Sequence, residues 1–119
     1  MTKILTGLLF IFALGSCYHT TPDPSFDMTL VIPADSMVTL LTDLHLADGV
    51  INTIKVKEKS LQHLSNEYFS AVLKKHKIGR DTFDESLHYY AYHTEELNKI
   101  YEKVIVNLSK IESMVPPAE

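Results

Sequence analysis

The sequence predicts an all-α fold, a compact bundle of about four amphipathic helices behind an N-terminal signal and a flexible tether. Two observations carry this. From Pro33 onward apolar residues recur at three- and four-residue steps in four successive stretches. The one short run that could pass for a strand, Met28-Thr29-Leu30-Val31-Ile32, has no second strand candidate to pair with. At 119 residues the chain suits one domain, and 45% hydrophobic with 22% charged residues is globular composition.

The first helix is expected to open at Pro33, which suits a first helical turn, with Asp35 complementing the positive end of the helix dipole. Met37, Leu40, Leu44, Ala47, Ile51 and Ile54 form its apolar stripe. Gly49 implies either a closely packed neighbour or a locally weak helix. The charged stretch at 55–59 interrupts the pattern and is expected to be a loop. Ser60 is the expected cap of a second helix with Leu61, Leu64, Tyr68 and Val72 on its stripe, widened by Phe69 and Leu73. That helix is expected to end near His76 and Lys77, with Gly79 as the break. A third, shorter helix from about Asp81 to Tyr92 turns Phe83, Leu87 and Tyr90 inward. Thr94 with Glu95 and Glu96 opens the fourth, whose apolar positions are Leu97, Tyr101, Val104, Leu108 and Ile111. Pro116-Pro117 ends it.

The N-terminus reads differently. After Lys3, residues Ile4 to Leu14 are almost wholly apolar. Eleven helical residues span about 16 Å, against roughly 30 Å of hydrocarbon, which disfavours a spanning anchor. The run ends in Leu14-Gly15-Ser16-Cys17, which resembles the lipobox of bacterial lipoproteins, where the Cys thiol receives a diacylglycerol. Cys17 is the only cysteine, so no disulfide can form within the chain, and lipid would consume the one thiol an exported protein would otherwise expose. Two or more acyl chains anchor stably where one is marginal. The expected organisation is a signal peptide at 1–16, lipidated Cys17 and tether at 17–29, a helical domain at 30–114 and a tail at 115–119.

Removing residues 1–16 loses one charge, Lys3, and leaves 10 basic against 15 acidic residues, a balance of −5. That sign disfavours nucleic acid and electrostatic adhesion to anionic lipid. Tyr18-His19-Thr20-Thr21 after Cys17 carries no acidic cluster of the kind that marks surface export. The expected location is therefore the periplasmic face of a membrane, the outer one by preference.

The stretch from His76 through Tyr90, with Ile100-Tyr101-Glu102-Lys103-Val104 behind it, resembles a family of small Bacteroidota lipoproteins classed as a domain of unknown function. Ile32-Pro33, Met37 and the segment Thr42 to Asp48 resemble its first helix. Together these matches span roughly residues 30 to 110. Gly79 departs from the family, whose members often place a capping Ser there. The resemblance implies a helical exported lipoprotein and carries over no catalytic residue.

Candidate sites are few. His45 and Asp48, three apart on the edge of the first stripe, are the candidate residues of a small-ligand or metal-binding module, the alternative to protein binding. Asp43 lies about 140° from Asp48 around the helix, so the three do not cluster. A metal site wants three or four converging ligands, and the other histidines are scattered; no metal and no cofactor is expected. No strained Gly-x-Ser-x-Gly turn and no phosphate loop is present, so no catalytic residue is assigned and the chain is not expected to be an enzyme. Tyr89, Tyr90 and Tyr92 point in different directions and cannot all be buried. Tyr89 and Tyr92 are thus candidates for contact with an envelope protein or peptide.

Overall fold

The computed structural model describes residues 24–54 and 58–117. Four helices account for most of them: α1 (Ala34–Thr53), α2 (Glu58–Lys75), α3 (Arg80–Tyr92) and α4 (Thr94–Met114). The described residues contain no strand. The predicted all-α bundle is therefore what forms. α1 is its centre, packing against both α2 and α4, while α3 packs against α4.

Pro33 sits one residue earlier than expected, as the cap of α1 (φ −56°, ψ 147°), with its carbonyl accepting from the Met37 N–H at 2.9 Å. A helix held on two sides buries a wide arc, so Met37, Val38, Leu40, Leu41 and Thr42 are all buried in the first half of α1. The single-stripe reading missed Val38, Leu41 and Thr42. The Thr42 hydroxyl is accommodated there because it donates to its own helix, at the Val38 carbonyl, over 2.7 Å. Burial falls away towards the C-terminal half, where Val50 is 48% exposed and Ile51 alone is buried. Gly49 faces open space, so no neighbour demands a glycine there.

α2 begins at Glu58, which places Ser60 inside the helix and not at its cap. Residues 55–57 of the expected loop lie outside the described residues. The reversal after α2 is made by Lys77, not Gly79. Lys77 adopts a left-handed conformation (φ 57°). Around it, Ile78 N–H reaches back to the Leu73 carbonyl (3.0 Å) and Lys77 N–H to the Lys74 carbonyl (3.1 Å). This is the Schellman pattern, with Ile78 and Leu73 both packed in the core as its hydrophobic pair. Gly79 has ordinary extended geometry (φ −74°, ψ 157°) as the cap of α3. A residue with a side chain is strained at Lys77. Lys77→Gly is therefore expected to stabilise the domain by about 1 kcal/mol, once the greater freedom of glycine in the unfolded chain is subtracted. Chemical denaturation followed by circular dichroism reads this directly, and a loss of stability would mean that the lysine side chain contributes more than its strain costs.

α3 turns a different face inward from the one the apolar pattern indicated. Phe83 and Tyr90 are buried as expected, but Leu87 is 37% exposed and Ser86 is fully buried. The cause is the arm preceding α1. Met28, Thr29 and Leu30 form a turn held by Asp27, whose carboxylate accepts from both the N–H and the hydroxyl of Thr29. The chain then runs to Pro33 against α3. Ile32 N–H donates to Ser86 Oγ (2.8 Å), and Tyr90 Oη donates to the Ile32 carbonyl (2.7 Å). Ile32 itself is 5% exposed. A buried backbone segment outside a helix must find hydrogen-bond partners, and Ser86 and Tyr90 supply them. The arm thus packs on the helices, as its lack of a partner strand implied.

α3 and α4 are separated by His93 alone (φ −97°, ψ 69°), which stands as the cap of α4 with no side-chain cap bond. Thr94, the expected opening residue, is the first residue of the helix. On α4 the inward face is rotated from the expected stripe towards Ile100, which with Val104 is the most buried residue of the helix, while Tyr101 is 37% exposed.

Candidate functional site

Three places on this framework gather chemistry. The first is an open groove of about 320 Å³ where the four helices meet. Leu44 and Ile51 of α1, Tyr68 and Phe69 of α2, Leu87 of α3 and Tyr101 of α4 form its apolar lining. His45 and Asp48 stand on its rim, both exposed, and no hydrogen bond joins them. The His45 ring meets the Tyr101 ring edge-on at 6.2 Å. Thus the structure puts both residues at one groove, yet only His45 is tied to a neighbouring helix. Among the described residues no three His, Cys, Asp or Glu side chains gather to hold a metal ion.

The second place is where α1 meets the end of α2. Asp43, which points away from Asp48, faces the opposite flank of α1. There its carboxylate accepts from Lys75 Nζ (2.8 Å) and bonds His76 Nε2 (2.7 Å). Partial burial pushes the Asp43 carboxyl up, but the bonds and positive charge of Lys75 and His76 outweigh it and hold the carboxyl below its usual range. The sequence carried one trace of this site, the basic pair at a helix C-terminus. Its acidic partner, 32 residues earlier, is fixed only by how α1 and α2 pack. A lowered folded value contributes stability at neutral pH. That contribution is lost as pH falls from about 4, the unfolded carboxylate value, through the lower folded one. Asp43→Asn is expected to flatten the acid side of the stability–pH curve, measured by urea denaturation at successive pH values. An acid limb identical to that of the wild type would remove Asp43 from the account.

The third place is the α3–α4 elbow. Tyr90 points inward and is 3% exposed, whereas Tyr92 is 39% exposed. Tyr89 is half-buried and stacks on the His93 ring at 4.1 Å, with 24° between the planes. His93 Nδ1 lies 2.9 Å from the Tyr89 carbonyl. A carbonyl can only accept, so this nitrogen carries the proton. Over these rings sits Phe26, edge-on to His88 (5.4 Å), Tyr89 (5.4 Å), Tyr92 (5.9 Å) and His93 (6.0 Å). Sequence reading had Phe26 in a structureless tether. Its ring-lined seat was not visible because a lone Phe beside Pro24 carries no periodic signal. Cys17 lies outside the described residues.

What the geometry defines is a small four-helix domain with an apolar groove on its surface and an aromatic elbow between its last two helices. None of the described helices is long and apolar enough to cross a membrane. The chain belongs to the family described as Domain of unknown function (DUF4296), which it matches over residues 29–114. Neither the curated proteins nor the solved structures contain a match to it.

Proposed function

We propose that this protein is a lipid-anchored component of a bacterial cell envelope whose helical domain binds another envelope protein or a peptide without catalysing a reaction. The observation that carries the anchoring is Leu14-Gly15-Ser16-Cys17, placed directly after a short apolar run in a chain with one cysteine. Cleavage after residue 16 and acylation of Cys17 tether the domain to the outer membrane, facing the periplasm. Binding is supported by apolar side chains left outside the core: Tyr92 at the elbow and Ile105 and Val106 on α4, the last two 61% and 51% exposed. Exposed aromatic and aliphatic groups of this kind are the material of interface centres.

Cys17→Ala tests the anchor. Cells fed a fatty-acid analogue are expected to label the wild-type protein, and to leave the variant unlabelled and its signal uncleaved. Label retained on the variant removes the lipoprotein reading. The binding half is tested by cross-linking the anchored protein in its own membrane, beside Tyr92→Ala. A cross-linked species lost in the variant, with melting unchanged, supports the tyrosine surface; an unchanged pattern removes it.

The groove gives a second reading its footing. An aromatic-lined cleft of about 320 Å³ with His45 and Asp48 on the rim has the size and lining of a small-ligand site. Saturable binding of a small apolar probe, weakened in a His45→Ala/Asp48→Ala double variant, would favour that reading over the protein-binding one.

A further inference from the structure

We infer that the α3–α4 elbow is the docking surface for the chain's own tether, and that it holds the domain on the membrane with this elbow towards the lipid. The inference rests on lipidation of Cys17 as proposed above. Three anchor points on α3 carry it. Phe26 lies among the rings of His88, Tyr89, Tyr92 and His93, all within 6.0 Å of its centroid. Ser86 then takes the Ile32 N–H, and Tyr90 takes the Ile32 carbonyl. Between these anchors the Asp27–Thr29 turn redirects the chain. The arm is therefore secured to one element along its described length, and Phe26 is the anchor nearest the N-terminus.

Geometry does the rest. Phe26 lies nine positions after Cys17. Fully extended, nine residues reach about 30 Å, so the acylated residue cannot lie farther than that from the elbow. α4 leaves the elbow and runs for 21 residues, about 30 Å, so its far end at Met114 is free to stand about twice as far from the bilayer. Were Phe26 released, the next anchor would be Leu30, whose carbonyl lies 3.1 Å from Ser86 Oγ. The reach would then rise to 13 residue steps, or about 43 Å. One aromatic side chain thus caps the stand-off of the elbow at about 30 Å, while the cap on the far end of α4 is about twice that. Acidic side chains stand close by, Asp27 next to Phe26 and Glu95 and Glu96 in the first turn of α4, so the tether and not charge holds this end to the lipid.

The test uses the full-length lipidated protein in vesicles of phosphatidylethanolamine and phosphatidylglycerol that carry an acceptor-labelled lipid. Because lipid consumes the Cys17 thiol, a donor dye can be placed on a single new cysteine, Glu95→Cys beside the elbow or Met114→Cys at the far end of α4, both exposed positions. Energy transfer from position 95 is expected to exceed that from position 114. Adding Phe26→Ala is expected to lower transfer from position 95 and to abolish the difference, with the protein still sedimenting with the vesicles. Equal transfer from the two positions, or a difference that Phe26→Ala leaves intact, overturns the inference while the lipid anchor stands. Failure of the wild-type protein to sediment with vesicles overturns the anchor itself, and the inference with it. Melting of Phe26→Ala by circular dichroism serves as the control: the buried core does not include Phe26, so cooperative unfolding is expected to persist.

Discussion

Tyr90→Ala is expected to destabilise the domain by about 3–5 kcal/mol, the range for large aromatic residues removed from cores. The side chain is 3% exposed and does two things at once. Its ring fills the space between α3 and the rest of the core, and its hydroxyl satisfies the carbonyl of Ile32 in the arm. Tyr90→Phe separates the two contributions. It keeps the ring and leaves a buried carbonyl without its donor, at a cost of about 1–3 kcal/mol. Ser86→Ala strands the Ile32 N–H in the same way and is expected to fall in the same range. Because both residues hold one segment, the double variant is expected to cost less than the two single losses combined. Urea denaturation of the four proteins decides this. A Tyr90→Ala domain as stable as the wild type would show that the arm and α3 do not form one packed unit.

The same hydroxyl gives a pH signature. Burial, then the negative charge of Glu96 and the neighbouring Tyr89, hold the Tyr90 phenol above its usual value. The neutral form is thus favoured in the folded state. The associated stability is full below about pH 10, the unfolded value, and is lost as pH rises from there through the higher folded one. Tyr90→Phe should show a shallower alkaline limb than the wild type.

Leu40→Ala is the second large effect, at about 2–5 kcal/mol. Leu40 is fully buried in the half of α1 enclosed by both α2 and α4. Ten residues on, Val50 occupies the same helix where enclosure has ended, and Val50→Ala is expected to change stability by about 0.5 kcal/mol or less. Paired thermal melts measure the contrast. Similar losses from the two variants would mean that the core extends along α1 evenly, against the burial gradient described above.

Much of the fold was legible because it rests on periodicity. Leu40, Phe83, Tyr90 and Val104 all fall on the apolar stripes and all are buried. The departures share a cause. Ser86 and Thr42 are polar, and pattern reading assigns polar residues to the outside. Yet each is buried where a specific bond meets its hydroxyl: the arm's N–H for Ser86, a carbonyl of its own helix for Thr42. Such bonds depend on which segment arrives from elsewhere in the chain, or on how widely a helix is enclosed, and neither is written in local spacing. The inward face of α3 was therefore read one position off, at Leu87 for Ser86, and on α4 Ile100 takes the inward place expected of Tyr101. Lys77 is a different failure. Glycine is the usual left-handed residue, so Gly79 drew the assignment while a lysine two positions earlier makes the turn.

For the candidate sites the limits were plainer still. His45 and Asp48 could be placed on one helix edge from spacing alone, but the groove beside them requires α2, α3 and α4 to be in position. Asp43 was correctly separated from Asp48 by angle. What it meets on its own side, Lys75 and His76, is a matter of tertiary packing.

The bonds between the arm and α3 also impose an order in time. Ile32 is joined to Ser86 and Tyr90 across 54 and 58 residues. Contacts of such sequence separation carry a loop-closure cost that helices, which form within about a microsecond, do not, so the arm docks after α3 has formed.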